Sequence, residues 1–226
     1  MSGIASTKTN TGVHTPSERP GKPGGKRDAN RKKQHKKIRE AALELFLTEG
    51  IASTTIDQIV ERAGVAKGSF YRYFADKDEL VRAIMRPLDV GFAEAMDGAE
   101  RILLQGDGSR DASKFYLDLA RELAAGLAFP RELRLYLQEA RGPAVGARAS
   151  IRELADRVAQ RAVTLSVIAR DRGVLRSSND PRISALTVIG AVERLIFAAL
   201  SGEDVGPIAE VPRALVSVIL DGVRAS

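Results

Sequence analysis

The sequence contains no cysteine, no tryptophan and only two histidines, His14 and His35. Without cysteine, disulfides, thiol sensing, thiolate zinc sites and cysteine nucleophiles are all excluded. The G-x-S-x-G and H-E-x-x-H motifs are also missing, and Gly24-Gly25-Lys26 lacks the upstream glycine and the following Ser or Thr of a phosphate loop. We therefore expect a protein that is not an enzyme and that carries no metal or cofactor.

Aromatic residues are scarce, at 5% of the chain, and no strand-like alternation of apolar and polar residues is evident. Strand-rich folds draw on aromatic and β-branched pairs, so this composition favours an all-α fold. No uninterrupted apolar run approaches the ~20 residues that a membrane helix needs. Residues 1–15 lack the apolar centre of a secretory signal. These absences predict a cytoplasmic protein with no membrane partner.

Positive charge is concentrated at the N-terminal end. The net charge is +6, but residues 1–37 hold ten Lys and Arg side chains against Glu18 and Asp28, a local +8 that leaves −2 on the remainder. Such a segment is typical of polyanion binding, and nucleic acid fits better than a membrane because no lipid anchor or amphipathic apolar face accompanies it. The alternative is a tail that only keeps the protein in solution.

The N-terminal segment of the chain shows neither the helical nor the strand periodicity of apolar residues. Residues 1–29 are rich in Ser, Thr, Gly, Pro and Lys, so we expect a disordered basic tail. Helical periodicity begins at Arg31 and ends at Gly50, which predicts a first helix. The apolar positions of this helix are Ile38, Ala42, Leu45 and Phe46.

Two short helices are predicted to follow. The second helix begins at Thr55, whose side chain is suited to cap it, and ends at Gly64, which tolerates the positive φ of a sharp turn. A third helix covers 66–73, and Asp76 is suited to cap a fourth. Two short helices joined by a Gly-containing turn, after a supporting helix, form a unit that places its second member in the DNA major groove. The geometry alone is weakly specific, since helical hairpins are common.

The third helix divides into an apolar face and a polar face. Phe70 and Phe74 are four residues apart and are predicted to pack toward the first helix. Gly68 costs ~1 kcal/mol of helix propensity relative to Ala, which favours a position where the backbone approaches a duplex closely, with a packing role as the alternative. The residues left for the opposite face are Lys67, Ser69, Tyr71, Arg72 and Tyr73.

The stretch IREAALELFLTEGIASTTIDQIVERAGVAKGSFYRYFADKDELVRAI, residues 38–84, resembles the DNA-binding domain of the TetR family of bacterial transcriptional regulators nearly position for position. The resemblance implies a helix-turn-helix DNA-binding domain over 30–76 and a larger helical domain for effector binding and dimerisation over 77–226. It also implies that Lys67, Gly68 and Ser69 face the groove. The residues that it assigns to phosphates are Tyr71, Tyr73 and Lys77.

Three further positions take a role from the resemblance. Thr55 would bind a backbone phosphate through its hydroxyl and the helix N-terminus. Arg72 matches a variable position and is our candidate for reading a guanine edge. Ala66 departs from the family pattern, because the family often has Ser there, and this change removes a potential cap and phosphate contact.

Beyond Pro87 the sequence is a series of amphipathic segments punctuated by loops. The predicted helices lie near 88–104, 111–128, 131–141, 149–172, 181–201 and 208–224. In the family, the middle helices enclose a small-molecule pocket and the last two form a four-helix bundle with a second subunit. Candidate pocket residues, which suggest a largely apolar effector and are alternatively simple core, are Phe92, Met96, Phe115, Tyr116, Leu123 and Tyr136. Candidate dimer-interface residues are Ile183, Leu186, Gly190, Glu193, Ile196, Leu215, Val218, Ile219 and Val223.

The function that these patterns favour is a homodimeric regulator of transcription, a repressor that a small-molecule effector releases from its double-stranded DNA operator. A ligand-insensitive architectural DNA protein is the alternative, and only the basic tail favours it. An enclosed cavity among helices four to seven would argue against that alternative.

Overall fold

A computed structural model describes residues 25–105, 129–175 and 177–206, together with the single residues 118, 121 and 214. Within these residues the chain forms seven α-helices and a short 3-10 helix, in agreement with the all-α prediction. The helices are α1 (Lys26–Glu49), α2 (Ile56–Ala63), α3 (Lys67–Tyr73), α4 (Lys77–Gln105), α5 (Pro130–Glu139), α6 (Ala149–Asp171) and α7 (Pro181–Leu200), with the 3-10 helix at Gly146–Arg148. The predicted helices at 111–128 and 208–224 lie outside the described residues.

Helix α1 begins at Lys26, five residues before the predicted start at Arg31, so the prediction of a disordered segment up to residue 29 is wrong at 26–29. Asp28 supplies the physical reason. Its carboxylate lies in the first turn, where it complements the positive end of the helix dipole. It also pairs with Arg31 at 3.6 Å and with Lys32 at 3.2 Å, three and four residues along the helix.

Helix α4 runs without interruption through Pro87, although the sequence predicted a break there. A proline inside a helix removes one hydrogen bond and costs ~3 kcal/mol or more. Ile84, Met85 and Leu88 flank the proline and are buried, and each such side chain contributes about 1.5–3 kcal/mol. Packing of this stretch against the core therefore outweighs the local penalty.

One hydrophobic core connects the N-terminal helices to the rest of the chain. In the N-terminal part it contains Phe46, Ile59 and Phe70, and it continues without a gap through Leu88 to Ile151. Helices α1, α4 and α5 meet around it. The predicted boundary between residues 76 and 77 therefore falls inside a continuous core, and α4 and α5 pack directly against α1.

Helix α7 begins where the sequence predicted. The Asp180 side chain caps it by accepting N–H groups of Arg182 at 2.8 Å and Ile183 at 3.0 Å. With a mean hydropathy of 1.9, α7 is the single helix among the described residues that is long and apolar enough to cross a membrane, and 11% of its most apolar 18-residue stretch is buried. The sequence analysis looked for an uninterrupted apolar run and did not detect α7, because charged residues interrupt the apolar residues of this helix. Glu193 pairs with Arg141 at 3.0 Å in the same chain.

Candidate nucleic-acid interface

The turn between α2 and α3 has the geometry that the sequence predicted. Gly64 adopts the left-handed conformation, with φ 65° and ψ 42°. Its N–H donates to the Glu61 carbonyl at 3.1 Å, and the Val65 N–H donates to the Val60 carbonyl at 3.0 Å. These two bonds satisfy carbonyls at the end of α2 and reverse the chain sharply. The turn fixes how α3 projects from α2.

Thr55 and Gln58 form a reciprocal capping box at the start of α2. The Gln58 N–H donates to the Thr55 hydroxyl at 3.2 Å, and the Thr55 N–H donates to Gln58 Oε1 at 2.7 Å. Thr55 is exposed. The predicted cap is confirmed, and the helix N-terminus faces solvent, where a phosphate would meet backbone N–H groups and the positive end of the dipole.

The apolar face of α3 is anchored in the core. Phe70 and Phe74 are almost fully buried, with ring centroids 5.7 Å apart. The His35 ring of α1 lies 4.7 Å from the Phe74 ring and 6.2 Å from the Tyr73 ring. The predicted packing toward the first helix is therefore confirmed. A helix of seven residues cannot hold its own position, so these ring contacts set its orientation.

The opposite face of α3 is open. Lys67, Gly68, Tyr71 and Arg72 are exposed, and Tyr71 keeps 52% of its surface accessible. The Lys67 ammonium lies 2.7 Å from the Asp57 carboxylate of α2, and this hydrogen bond raises the pKa of Lys67. Both side chains are more than half exposed, so the pair is weak and a phosphate or base could replace the carboxylate.

Ser69 and Tyr73 lie at the edges of this open face. Both residues are half-buried. Gly68 lies in the middle of the face, and a β-carbon added there would meet no atom within 4 Å. The chain itself therefore gives no packing reason for the glycine. Ala66 begins α3 without a side-chain cap, as its departure from the family pattern implied.

Lys77 lies at the start of α4 and turns back to the loop between α1 and α2. Its ammonium donates to the carbonyls of Ile51 at 2.7 Å and Thr54 at 2.8 Å. Partial burial lowers the pKa of Lys77. An ammonium has three donors, so one remains for the phosphate contact that the resemblance implied. Within the chain, Lys77 braces the loop that leads into Thr55.

Glu139, at the end of α5, holds the same loop from the other side and was missed by the sequence analysis. Its carboxylate is 5% exposed in the side chain and accepts the Ile51 N–H at 3.0 Å. Its second oxygen accepts from Arg148 Nε. No sequence spacing signals a contact across 88 residues. The contact ties the helix-turn-helix directly to the C-terminal part.

The candidate pocket residues within the described part are Phe92, Met96 and Tyr136. The Phe92 and Tyr136 rings are 5.5 Å apart, and Met96 is buried one turn further along α4. The Tyr136 hydroxyl donates to Glu193 at 3.2 Å, and burial, together with that carboxylate, raises the pKa of Tyr136. The other candidates, Phe115, Tyr116 and Leu123, lie outside the described residues.

The candidate interface residues of α7 fall into two groups. Ile183 and Leu186 are exposed, at 68% and 47%, and a β-carbon on Gly190 would meet no atom within 4 Å. Glu193 and Ile196 turn inward, because Glu193 bonds Tyr136 and Ile196 packs against the core. The remaining candidates, which lie outside the described residues, are Leu215, Val218, Ile219 and Val223.

This geometry is that of a helix-turn-helix protein. A short, capped helix is followed by a left-handed glycine turn and by a second helix that has a buried aromatic face and an open polar face. Residues 38–84 match the family model described as bacterial regulatory proteins, tetR family. This N-terminal region of the chain therefore contains a TetR-type DNA-binding domain.

Curated relatives match this N-terminal region. An HTH-type regulator named TtgW, from Pseudomonas putida, is 36% identical over 77 residues, which cover 32% of this chain and 57% of that protein. TcmR of Streptomyces glaucescens is 39% identical over 85 residues, which cover 37% of each chain. The matches thus span less than two thirds of these relatives.

Solved structures match most of the chain. NalD of Pseudomonas aeruginosa, described as the secondary repressor of an efflux pump, superposes with a TM-score of 0.67 at 20% identity, over 88% of this chain and 99% of that one. FadR of Bacillus subtilis, solved with stearoyl-CoA, gives a TM-score of 0.61 at 16% identity, over 84% of this chain and 100% of that one. At these identities the likeness establishes the fold.

Proposed function

We propose that the protein is a DNA-binding transcriptional regulator that recognises a duplex operator through α3. The observation that carries the proposal is the open polar face of α3, where exposed side chains surround a glycine with empty space above it. This face projects from a helix-turn-helix of the TetR type. A relative described as a repressor supports repression as the mode of action.

Within this proposal the residues of the open face and its edges divide into base readers and phosphate ligands. Arg72 is unpaired among the described residues and reads a guanine edge, where a bidentate contact gives about 1–3 kcal/mol of discrimination. Lys67, Gly68 and Ser69 line the groove-facing start of α3. Tyr71, Tyr73, Thr55 and the free donor of Lys77 hold the backbone, which fixes register without reading sequence.

We propose that two copies associate through α7. Ile183 and Leu186 expose apolar side chains to water, and a second subunit would bury them. The open space above Gly190 leaves room for a helix of that subunit to approach closely. The other residues that the sequence predicts for this interface, Leu215, Val218, Ile219 and Val223, lie outside the described residues. A two-fold dimer presents two reading helices to half-sites about 34–36 Å apart.

We propose that the effector is a largely apolar small molecule that binds beside Phe92, Met96 and Tyr136 and releases the repressor from DNA. The stearoyl-CoA complex of the Bacillus relative supports a ligand with an apolar portion. The proposed signal passes along α5, because Tyr136 lies one turn before Glu139, which holds the Ile51 N–H. We place this activity in the cytoplasm.

Selection from random-sequence duplexes with the full chain tests the DNA-binding role. We expect enrichment of an inverted repeat. On the enriched duplex, Arg72→Ala should relax preference at one position per half-site, whereas Tyr71→Phe should weaken every duplex alike. Arg134→Ala, an exposed arginine on α5, is the matched control. Failure to enrich any sequence would contradict the proposal.

A further inference from the structure

Asp57 brings a carboxylate to the surface that the proposed function turns toward DNA. It lies in the first turn of α2, two residues after Thr55, and its side chain is 70% exposed. One carboxylate oxygen lies 2.7 Å from the ammonium of Lys67, the first residue of α3. Among the described residues this is the single ion pair that joins α2 to α3. None of the roles proposed above is assigned to Asp57.

The carboxylate weakens the attraction of this part of the surface for phosphates. Its charge offsets that of Lys67 and repels a phosphate that approaches the pair. Sequence-independent binding comes from Lys and Arg side chains that neutralise phosphates, so the pair contributes little to it. An aspartate in the first turn of a helix also complements the helix dipole. That role needs no lysine beside it, and an experiment can separate the two.

The ion pair presents a hydrogen-bond donor and an acceptor side by side. The ammonium has three donors, of which one bonds Asp57, and the carboxylate oxygens accept. In the major groove a G·C base pair presents the opposite pattern, because guanine O6 accepts and the cytosine N4 amino group donates. These two base atoms are hydrogen-bonded to each other, so they lie about 2.9 Å apart. The 2.7 Å between the Lys67 and Asp57 atoms is close to that spacing.

The order of donor and acceptor separates the four base pairs. With guanine beside Lys67, the two remaining donors meet O6 and N7, and Asp57 accepts from cytosine N4. A T·A pair offers thymine O4 to Lys67 and adenine N6 to Asp57, but thymine presents a methyl group where guanine presents N7. The reversed pairs, C·G and A·T, place an amino group against the ammonium and an acceptor against the carboxylate. The ion pair therefore favours G·C and disfavours the reversed pairs most.

We propose that Asp57 is a specificity-determining residue, which reads one G·C base pair of each half-site together with Lys67 and fixes which strand carries the guanine. This inference rests on the proposed recognition of DNA by α3 and adds a residue of α2 to the reading surface. Lys67 alone bonds guanine on either strand, because its side chain is long and flexible. The carboxylate supplies the orientation. The contact is separate from that of Arg72, which lies more than one helical turn further along α3.

Reversing the base pairs of the selected duplex one position at a time tests the proposal on the full chain. Each duplex has the two bases of one position exchanged in both half-sites, and its affinity is measured for the wild type, Asp57→Asn and Lys67→Met at one salt concentration. At one G·C position, reversal should weaken the wild type at least about fivefold and leave Asp57→Asn almost unchanged. Lys67→Met should lose its preference at that same position. Both side chains are exposed, so we expect both variants to fold.

Glu61→Gln is the matched control. Glu61 is an exposed carboxylate one turn further along α2, and it forms no ion pair with any described residue. The substitution removes the same charge as Asp57→Asn, and it should keep the wild-type preference at every position.

Three results overturn the proposal. If Asp57→Asn keeps the wild-type preference at every position, the carboxylate only stabilises α2. If it tightens binding to every duplex by one factor, the carboxylate only repels phosphates. If Asp57→Asn and Lys67→Met change the preference at different positions, the two residues do not read one base pair. A wild type that enriches no sequence would instead overturn recognition of DNA by α3, and this proposal with it.

Discussion

Replacing Glu139 with Gln tests the link between the C-terminal part and the helix-turn-helix. The substitution keeps the size of the side chain and removes its charge. The carboxylate now accepts from the Ile51 N–H with one oxygen and from Arg148 with the other. A glutamine has one acceptor oxygen and one NH₂ group, so one of the two donors loses its acceptor and Arg148 loses its counter-ion.

The size of the effect follows from the burial of the pair. Removing one member of a buried ion pair costs about 3–5 kcal/mol, and a hydrogen bond to a charged group contributes about 1.5–3 kcal/mol. The Glu139 side chain is 5% exposed, but that of Arg148 is 24% exposed, so water recovers part of the loss at the arginine. We expect the free energy of unfolding to fall by about 2–3 kcal/mol.

Urea denaturation of the wild type, Glu139→Gln, Arg148→Met and the double variant measures this. Because the two substitutions affect one ion pair, the double variant should lose much less than the sum of the single losses. Glu94→Gln, an exposed position on α4, is the control. Operator affinity should also fall, since Ile51 lies in the loop that leads to Thr55. A loss in Glu139→Gln no larger than about 0.5 kcal/mol, the range of ordinary surface changes, would refute the reasoning.

Three other predictions address the reading face, the tail and the effector. Gly68→Ala should raise the free energy of unfolding by up to about 1 kcal/mol through helix propensity and weaken operator binding at least tenfold; unchanged affinity would remove the close-approach explanation. Deleting residues 1–24 should leave α1 folded and flatten the slope of log affinity against log salt by about 0.9 for every phosphate that the tail neutralises in the full chain, and an unchanged slope would return the tail to a solubilising role. An apolar effector should bind about 5-fold to 150-fold more weakly when operator is saturating; equal affinities would show that the ligand is not an inducer.

Local chemistry made much of this fold predictable. Gly64 and Thr55 each determine a turn or a helix start through their own backbone or side chain, and the structure has both features where the sequence placed them. Phe70 and Phe74 were predicted to share a face because a helix brings residues four apart together. The open face of α3 follows from the same spacing.

Features that depend on distant residues were not predictable. Helix α4 continues through Pro87 because the burial of Ile84, Met85 and Leu88 in the core stabilises the helix by more than the proline costs. That burial depends on the other helices, so the residues around Pro87 do not reveal it. The partners of Lys77 and Glu139 include carbonyl and N–H groups that lie 23 to 88 residues away in the chain. The family resemblance implied that Lys77 meets phosphate, whereas most of its donors meet the carbonyls of its own chain.

The central claim is that the open face of α3 reads DNA sequence in a two-fold dimer. The most direct test compares the affinity of the full chain for its selected inverted repeat with that for a scrambled duplex of the same composition, at one salt concentration. The structure predicts that the inverted repeat binds at least about 10³-fold more tightly, and that altering the half-site spacing by about five base pairs, half a helical turn, abolishes the difference. Equal affinities for the two duplexes would contradict the claim.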